Sequence, residues 1–164
     1  YGHVTLCDIN ETMLNHGRDN LINKGIIKNI DYIRANAENL PFKDNSFDCV
    51  IIAFGLRNIT DKNAALKSIY KKLKYGAQLV ILEFSKVTIP FIDKIYLKYA
   101  FKFIPKLGKA VAKDEDSYRY LIESIRVHPD QKLLALMIEE AGFKNIKFHN
   151  LSAGIVAVHR GYKI

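Results

Sequence analysis

Short apolar runs alternate along this chain with segments in which apolar residues recur at helical spacing. The runs HVTLCDI, NIDYIRAN, DCVIIAF and QLVILEF are bounded by polar or turn-forming residues, which predicts four strands. DCVIIAF is continuously apolar, which predicts a central strand covered on both faces. Asp61 can cap a helix before QLVILEF, and Gly76 is expected to end it. The apolar face predicted for this helix consists of Leu66, Ile69, Tyr70 and Leu73.

Two further helices and a hairpin complete the predicted order. NETMLNHGRDNLINKG predicts a helix between a cap at Asn10 and a stop at Gly25. HPDQKLLALMIEEAG predicts another, with Pro129 in its first turn and Gly142 at its end. NIKFHN and GIVAVHRGYK, joined by LSA, predict a closing hairpin. This order is typical of an α/β fold with a doubly wound sheet and a terminal antiparallel hairpin.

The composition indicates the charge of a binding partner but not its identity. The 164 residues are enough for one domain, and the formal net charge of +8 favours anionic partners: nucleic acid, a phospholipid surface or a charged cofactor. Cys7 and Cys49 lie in apolar runs, which predicts buried thiols in a reducing compartment. Neither a CxxC nor an HxxxH spacing occurs, so no metal site is expected.

Polar residues follow three of the predicted strands. Asp8 ends the first strand, Asn36 follows the second, and Gly55 to Asn58 follow the third. In open α/β sheets, ligands bind outside the carboxyl ends of the strands. A carboxylate there can accept both hydroxyls of a ribose, or it can simply help to start the next helix.

Seven blocks resemble one family along nearly all 164 residues. They are CDINETML, ANAENLPFKDNSFD, FGLRNITD, LEFSK, DSYRYLIESIRVHPDQ, MIEEAGF and SAGIVAVHRGYKI. Together they resemble the S-adenosyl-L-methionine-dependent C-methyltransferases of ubiquinone and menaquinone biosynthesis, the UbiE type. The resemblance implies a single Rossmann-like methyltransferase domain at 1–164, with 91–125 as a lid that faces the substrate or the membrane.

The resemblance also implies that this chain lacks its N-terminal part. The chain does not begin with methionine, and its nine glycines contain no GxG, so the family's first strand and glycine-rich loop are expected to be absent. In the family that strand lies between the strands that contain Cys7 and Cys49. The isolated chain is therefore expected to be inactive.

The family's site residues can be carried over to matching positions. The resemblance assigns cofactor binding to Asp8 on the ribose, to Asn36 and Ala37 around the adenine, and to Ala53. Position 53 is often serine in the family, so only a backbone contact is expected from Ala53. Substrate binding is assigned to Tyr118, Arg119 and Tyr120 in the lid.

Catalysis is assigned to Arg57 and Asn58. A quinol ring becomes more nucleophilic when one hydroxyl ionises. Arg57 keeps its proton up to about pH 12, so it can stabilise a phenolate or hold a water but cannot act as a base. Asn58 can fix the same oxygen, and Gly55 can let the backbone come close to the ligands. The alternative is that Arg57 is a solvated loop residue and Asn58 a turn former.

A lysine-rich segment precedes the predicted lid residues. FIDKIYLKYAFKFIPKLGKAVAK has six lysines and one acid, and Lys94, Lys98 and Lys102 share one side of a predicted helix. Such a helix can lie in a membrane interface, or it can pack on the core with solvated lysines. The resemblance implies a polyprenylated quinol substrate and a cytoplasmic protein bound peripherally to the inner membrane, on the matrix side in a mitochondrion. It also implies a homodimer or a quinone-biosynthesis complex.

Other classes of protein remain open at this point. A nicotinamide dehydrogenase also uses an acid on ribose. The positive net charge would be consistent with a nucleic-acid methyltransferase. Enzymes of that class that methylate amino groups generally carry a motif with two adjacent prolines, and the four prolines of this chain are never adjacent. No nucleic-acid partner is therefore expected. Another small-molecule methyltransferase, or an inactive membrane-associated scaffold, is the remaining alternative.

Overall fold

A computed structural model describes residues 2–87 and 115–164 of the chain. The strands are β1 (Val4–Asp8), β2 (Ile30–Arg34), β3 (Phe47–Ala53), β4 (Leu73–Phe84), β5 (Lys144–Leu151) and β6 (Val156–Tyr162). The helices are α1 (Glu11–Asn23), α2 (Lys62–Lys72), α3 (Glu115–Val127) and α4 (Gln131–Glu140). Short 3-10 helices occupy Ala37–Asn39, Leu56–Asn58 and Ser152–Gly154.

The strands form two sheets. β1 and β2 make a parallel pair, whereas the larger sheet has the order β3-β4-β6-β5. β3 and β4 are parallel, and both pairs that include β6 are antiparallel. The predicted α/β architecture and its closing hairpin are therefore confirmed. The division between the sheets falls between β1 and β3, where the resemblance places a further strand.

The core lies on one face of the larger sheet, beneath α2 and α4. Apolar residues of both helices interlock there with side chains of β4, and the Tyr70 and Phe143 rings meet edge to face at 5.1 Å between centroids. The fully buried members include Leu66, Ile69, Leu79, Ile81, Leu134, Ile138 and Phe143. By contrast, no residue of α1 is fully buried. The residues that bury most apolar surface thus belong to the larger sheet and its helices.

The junction of α2 and β4 differs from the prediction. The helix ends at Lys72, and Leu73 already has extended backbone angles and pairs with Phe47. Gly76 does not end the helix: it lies within β4 and donates its N–H to the carbonyl of Lys163 at 2.7 Å. Leu73 is buried in this arrangement as it would be in a helix, so strand pairing decides between the two.

Of the smaller local predictions, some are confirmed and others are wrong. Leu134 and Ile138 of α4 are buried and Met137 packs against the core. Pro129 precedes the capping residue Asp130 instead of lying in the first turn as predicted. Cys7 is exposed, so the prediction that it is a core thiol is wrong, and Cys49 is half-buried.

The prediction that β3 is covered on both faces is also wrong. Val50 and Ile52 pack against the core, whereas Ile51 on the opposite face is 70% exposed. A continuous apolar run cannot show by itself whether a second layer lies over its other face.

Candidate active site

Asp8 stands at the carboxyl end of β1, half-buried. Its Oδ1 accepts a hydrogen bond from the backbone N–H of Asn10 at 2.8 Å. The Asn10 side chain in turn caps α1 by accepting from the backbone of Thr12 and Met13. One carboxylate oxygen therefore helps to start the helix, while Oδ2 has no hydrogen bond within the described residues. That oxygen suits the hydroxyl of a ribose.

The loop after β2 lies beside Asp8 because β1 and β2 are paired. The backbone N–H of Ala35 donates to the Asp8 carbonyl at 3.1 Å. Asn36 is exposed, and its Oδ1 accepts from the N–H of Glu38 at 2.9 Å, which caps the short helix that begins at the half-buried Ala37. The Glu38 side chain accepts from the N–H of Asp61 at 3.0 Å. This bond connects the loop after β2 to the start of α2, just beyond the loop after β3.

The chain leaves β3 through an unusual backbone turn. Ala53 is exposed, and Phe54 adopts a positive φ of 54° while its ring packs on Phe84. Gly55 has φ −113°, and an added Cβ would make only ordinary contact with Ile52. The positive φ of this turn is therefore at Phe54 and not at Gly55. That Gly55 lets the backbone come close to the ligands stays a prediction.

Arg57 is not a solvated loop residue. Its side chain is only 12% exposed, and its Nη1 donates to Oε1 of Glu83 at 2.9 Å and also to the carbonyl of Phe54. The guanidinium carbon lies 5.4 Å from the centroid of the Phe84 ring. Its Nε is buried without a hydrogen-bond partner among the described residues. The structure thus holds a cation at the end of β3 whose buried Nε–H is not paired with any described residue.

Asn58 is exposed and contacts α3. Its Oδ1 accepts from the Tyr120 hydroxyl at 3.2 Å, while its backbone N–H closes a turn on Gly55 at 3.1 Å. The structure therefore brings Asn58 and Tyr120 together, and Asn58 is also a turn former. Arg119 is exposed on the same helix, and the side chain of Tyr118 lies outside the described residues.

Two buried histidines were missed by sequence reasoning. His128 is 2% exposed, and neither ring nitrogen has a hydrogen-bond partner within the described ranges. Burial, and to a smaller extent the nearby charges of Lys62, His159 and Arg57, lower the pKa of His128 from 6.5 to about 4. Burial also lowers the pKa of His159, whose Nε2 donates to the carbonyl of Gln131 at 2.9 Å. The one available signal was that His159 occupies an inward position of an alternating strand.

The lysine-rich segment lies outside the described residues, together with Lys94, Lys98, Lys102 and most of the proposed lid. Within residues 2–87 and 115–164, no helix is long and apolar enough to cross a membrane. The same ranges contain no group of three or more potential metal-binding side chains.

Comparison with solved structures shows the class of fold. A SAM-dependent methyltransferase from Aquifex aeolicus matches with a TM-score of 0.70 at 16% identity, over 99% of this chain and 70% of that one. A SAM-dependent methyltransferase from Thermotoga maritima, described as a possible histamine N-methyltransferase, matches with a TM-score of 0.67 at 20% identity, over 98% and 72%. The chain therefore has the fold of SAM-dependent methyltransferases.

Sequence comparison then shows the family. The profile of the ubiE/COQ5 methyltransferase family matches residues 1–163. The chain is 58% identical over 162 residues to the ubiquinone/menaquinone biosynthesis C-methyltransferase UbiE of Klebsiella pneumoniae (strain 342), and 56% identical to that of Escherichia coli (strain K12 / DH10B). Both matches cover 99% of this chain and 64% of the relative. The chain belongs to the ubiE/COQ5 methyltransferase family and spans just under two thirds of the length of these relatives, which confirms the predicted resemblance.

Proposed function

We propose that the protein containing this sequence is an S-adenosyl-L-methionine-dependent C-methyltransferase of ubiquinone or menaquinone biosynthesis, acting on a polyprenyl benzoquinol, a demethylmenaquinol or both. The observation that carries the proposal is the 58% identity over 99% of the chain to a relative named for that activity. Membership of a methyltransferase family also removes the nicotinamide dehydrogenase from consideration.

The cofactor site is proposed at the carboxyl ends of β1, β2 and β3. Asp8 has a carboxylate oxygen available for a ribose hydroxyl, and the neighbouring loop presents Asn36 and Ala37 for the adenine. Ala53 has no side-chain hydroxyl, so only its backbone can contribute. The bound cofactor supplies an electrophilic methyl group on a sulfonium.

The substrate chemistry is assigned to the end of β3. With the cofactor bound, a ring carbon of the quinol would take the methyl group as the S–CH₃ bond breaks and its electron pair stays on sulfur, and the same ring carbon would then give up its proton. Arg57 cannot remove a proton, but its buried cation can stabilise the ionised hydroxyl or hold a water that carries the proton away. The Asn58 amide can orient the same oxygen, and Tyr120 steadies that amide through its hydroxyl. Tyr118 and Arg119 are proposed to contact the substrate from the same helix.

Methyl transfer in the full-length protein containing this sequence tests the proposal. We expect label from the S-adenosyl-L-methionine methyl group to appear on a ring carbon of a short-chain benzoquinol or demethylnaphthoquinol, located by mass spectrometry. Label on neither quinol, together with transfer to another small molecule, would favour a different methyltransferase of the same fold.

Peripheral attachment to the cytoplasmic side of the inner membrane, or the matrix side in a mitochondrion, is a second part of the proposal. It rests on the basic sequence around Lys94, Lys98 and Lys102 and on the hydrophobicity of a polyprenylated substrate. Changing all three lysines to glutamine should weaken binding to anionic liposomes by about 1 kcal/mol per lysine. Changing Lys24, Lys28 and Lys43 to glutamine alters the charge equally and should have less effect. Equal liposome binding by the wild type and both triple variants would favour the alternative that Lys94, Lys98 and Lys102 are solvated.

A homodimer or a complex with other enzymes of quinone biosynthesis is also proposed, from the resemblance alone. Analytical ultracentrifugation of the full-length protein would test the homodimer, since a single monomeric species across a range of concentrations would contradict it.

A further inference from the structure

Glu83 is a buried acid near the carboxyl end of β4, directly after the apolar run Leu79–Leu82. Its side chain is 1% exposed, and its residue pairs with Ala157 of β6, so protein surrounds it on both sides. A carboxylate at such a position must be compensated by hydrogen bonds or a cation, because burial removes its hydration.

Both oxygens of this carboxylate are occupied, and two of the three donors belong to Arg57. Oε1 accepts from Nη1 of Arg57 at 2.9 Å and from the backbone N–H of Phe84 at 2.9 Å. Oε2 accepts from the backbone N–H of Arg57 at 3.1 Å. Glu83 therefore binds the main chain and the side chain of the same arginine, which defines both the start of the short helix Leu56–Asn58 and the direction of the guanidinium.

The remaining contacts of Arg57 restrict it further. Nη1 also donates to the Phe54 carbonyl, and the guanidinium lies against the Phe84 ring. With Nη1 engaged by two acceptors, rotation of the guanidinium would break several contacts at once. The buried Nε has no acceptor among the described residues, although buried donors are nearly always satisfied. This donor indicates a place for an oxygen of a water or a ligand.

We propose that Glu83 is a positioning residue for methyl transfer, which holds Arg57 so that its Nε–H is directed at a substrate oxygen or at the water bound to it. The inference rests on the proposed function. Glu83 does not contact the substrate in this proposal, and it exchanges no proton. Its effect passes through Arg57 alone, which distinguishes it from an ion pair that only stabilises the fold.

A mutant cycle in the full-length protein tests this coupling. Glu83→Gln preserves the shape of the side chain. It replaces one carboxylate oxygen, which accepts a hydrogen bond, by an NH₂ group, which can only donate one. We expect it to lower kcat by about 10-fold or more, as for a misplaced catalytic group. The KM for S-adenosyl-L-methionine should stay within about twofold, since the cofactor residues are not touched. In an Arg57→Lys background, the same substitution should change kcat far less, because the group it positions is already gone.

Two controls keep the test interpretable. Asp48→Asn removes the acid of an exposed pair with Lys74, and it should leave kcat unchanged. Glu83→Asp retains the charge but shortens the side chain, so its kcat should lie between those of the wild type and Glu83→Gln. If Glu83→Gln does not fold, Glu83→Asp replaces it in the mutant cycle. A loss of kcat that is equal in both backgrounds, or an unchanged kcat in a folded Glu83 variant, would overturn the inference.

A second readout does not depend on turnover. The Nε–H of Arg57 can be observed by ¹⁵N NMR and identified by its loss in Arg57→Lys. It should exchange slowly with solvent in the wild type and rapidly in the Glu83 variant. Slow exchange in both would contradict the positioning role. A wild-type protein that transfers no methyl group to either quinol would instead reject the proposed function, while this exchange experiment still decides on Glu83.

Discussion

Arg57 is a cation whose surroundings determine what it can do. A solvated arginine distributes its donors among water molecules, whereas Arg57 is enclosed by Glu83, the Phe54 carbonyl and the Phe84 ring. These contacts therefore hold the planar guanidinium of Arg57 in one orientation. A lysine has a single rotatable ammonium and cannot reproduce that geometry.

Arg57→Lys should consequently reduce turnover in the full-length protein by about 10²-fold, the scale for a lost transition-state donor. The affinity for S-adenosyl-L-methionine should barely change. Initial rates and calorimetry measure the two quantities. Arg18→Lys, at an exposed arginine beside Asp19, is the matched control and should leave both unchanged. Normal turnover in Arg57→Lys would show that the arginine has no part in the chemistry.

His128 makes stability depend on pH. Its pKa is about 4 in the folded chain and 6.5 ordinarily, so between these values the unfolded chain binds a proton that the folded chain does not. Stability is therefore fully present above pH 6.5 and falls as the pH approaches 4, by about 3 kcal/mol from this residue.

Urea unfolding at pH 7 and pH 4 measures this effect. The loss on acidification should be smaller in His128→Leu than in the wild type. His149→Gln removes an exposed histidine of β5 and should leave the loss as it is in the wild type. Equal losses in all three proteins would show that His128 is not held neutral in the folded state.

At the scale of elements, the contact of β6 with α4 depends on a residue without a side chain. A Cβ on Gly161 would lie 3.1 Å from Cβ of Phe143 and 3.2 Å from Cγ2 of Ile138. These neighbours belong to the close-packed core, so they have little room to move. The hairpin and the helix can approach each other because position 161 is glycine.

Gly161→Ala should therefore lower the free energy of unfolding by about 1–3 kcal/mol through overpacking. Gly17 provides the opposite case, because it lies in α1 with nothing within 4 Å of an added Cβ. Gly17→Ala should raise the free energy of unfolding by about 0.5–1 kcal/mol. Denaturant midpoints compare the two variants, and an unaltered midpoint for Gly161→Ala would mean that the core can adjust.

At the scale of the whole molecule, burial is unequal between the two sheets. The larger sheet is stabilised by the core beneath α2 and α4, whereas β1, β2 and α1 contain no fully buried residue among those described. β1 and β3 each lack a partner strand on one side within residues 2–87 and 115–164. Regions with few buried apolar contacts open at lower free-energy cost.

Amide hydrogen exchange of the 164-residue chain should therefore be faster in β1 and β2 than in β4 and β6. Peptides that cover each strand can be compared by mass spectrometry after the same labelling time. Equal protection of both sheets would mean that they unfold together.

Local patterns in the sequence determined α1, α4 and the closing hairpin, because caps and apolar spacing act between residues within one or two turns. The family resemblance depended on such short blocks as well. Only the tertiary structure decided that Leu73 begins a strand, since that choice depends on its pairing with Phe47. It also joined Arg57 to Glu83, 26 positions away, and Asn58 to Tyr120, 62 positions away. Burial and direction of a polar side chain depend on such distant neighbours, and no local pattern specifies them.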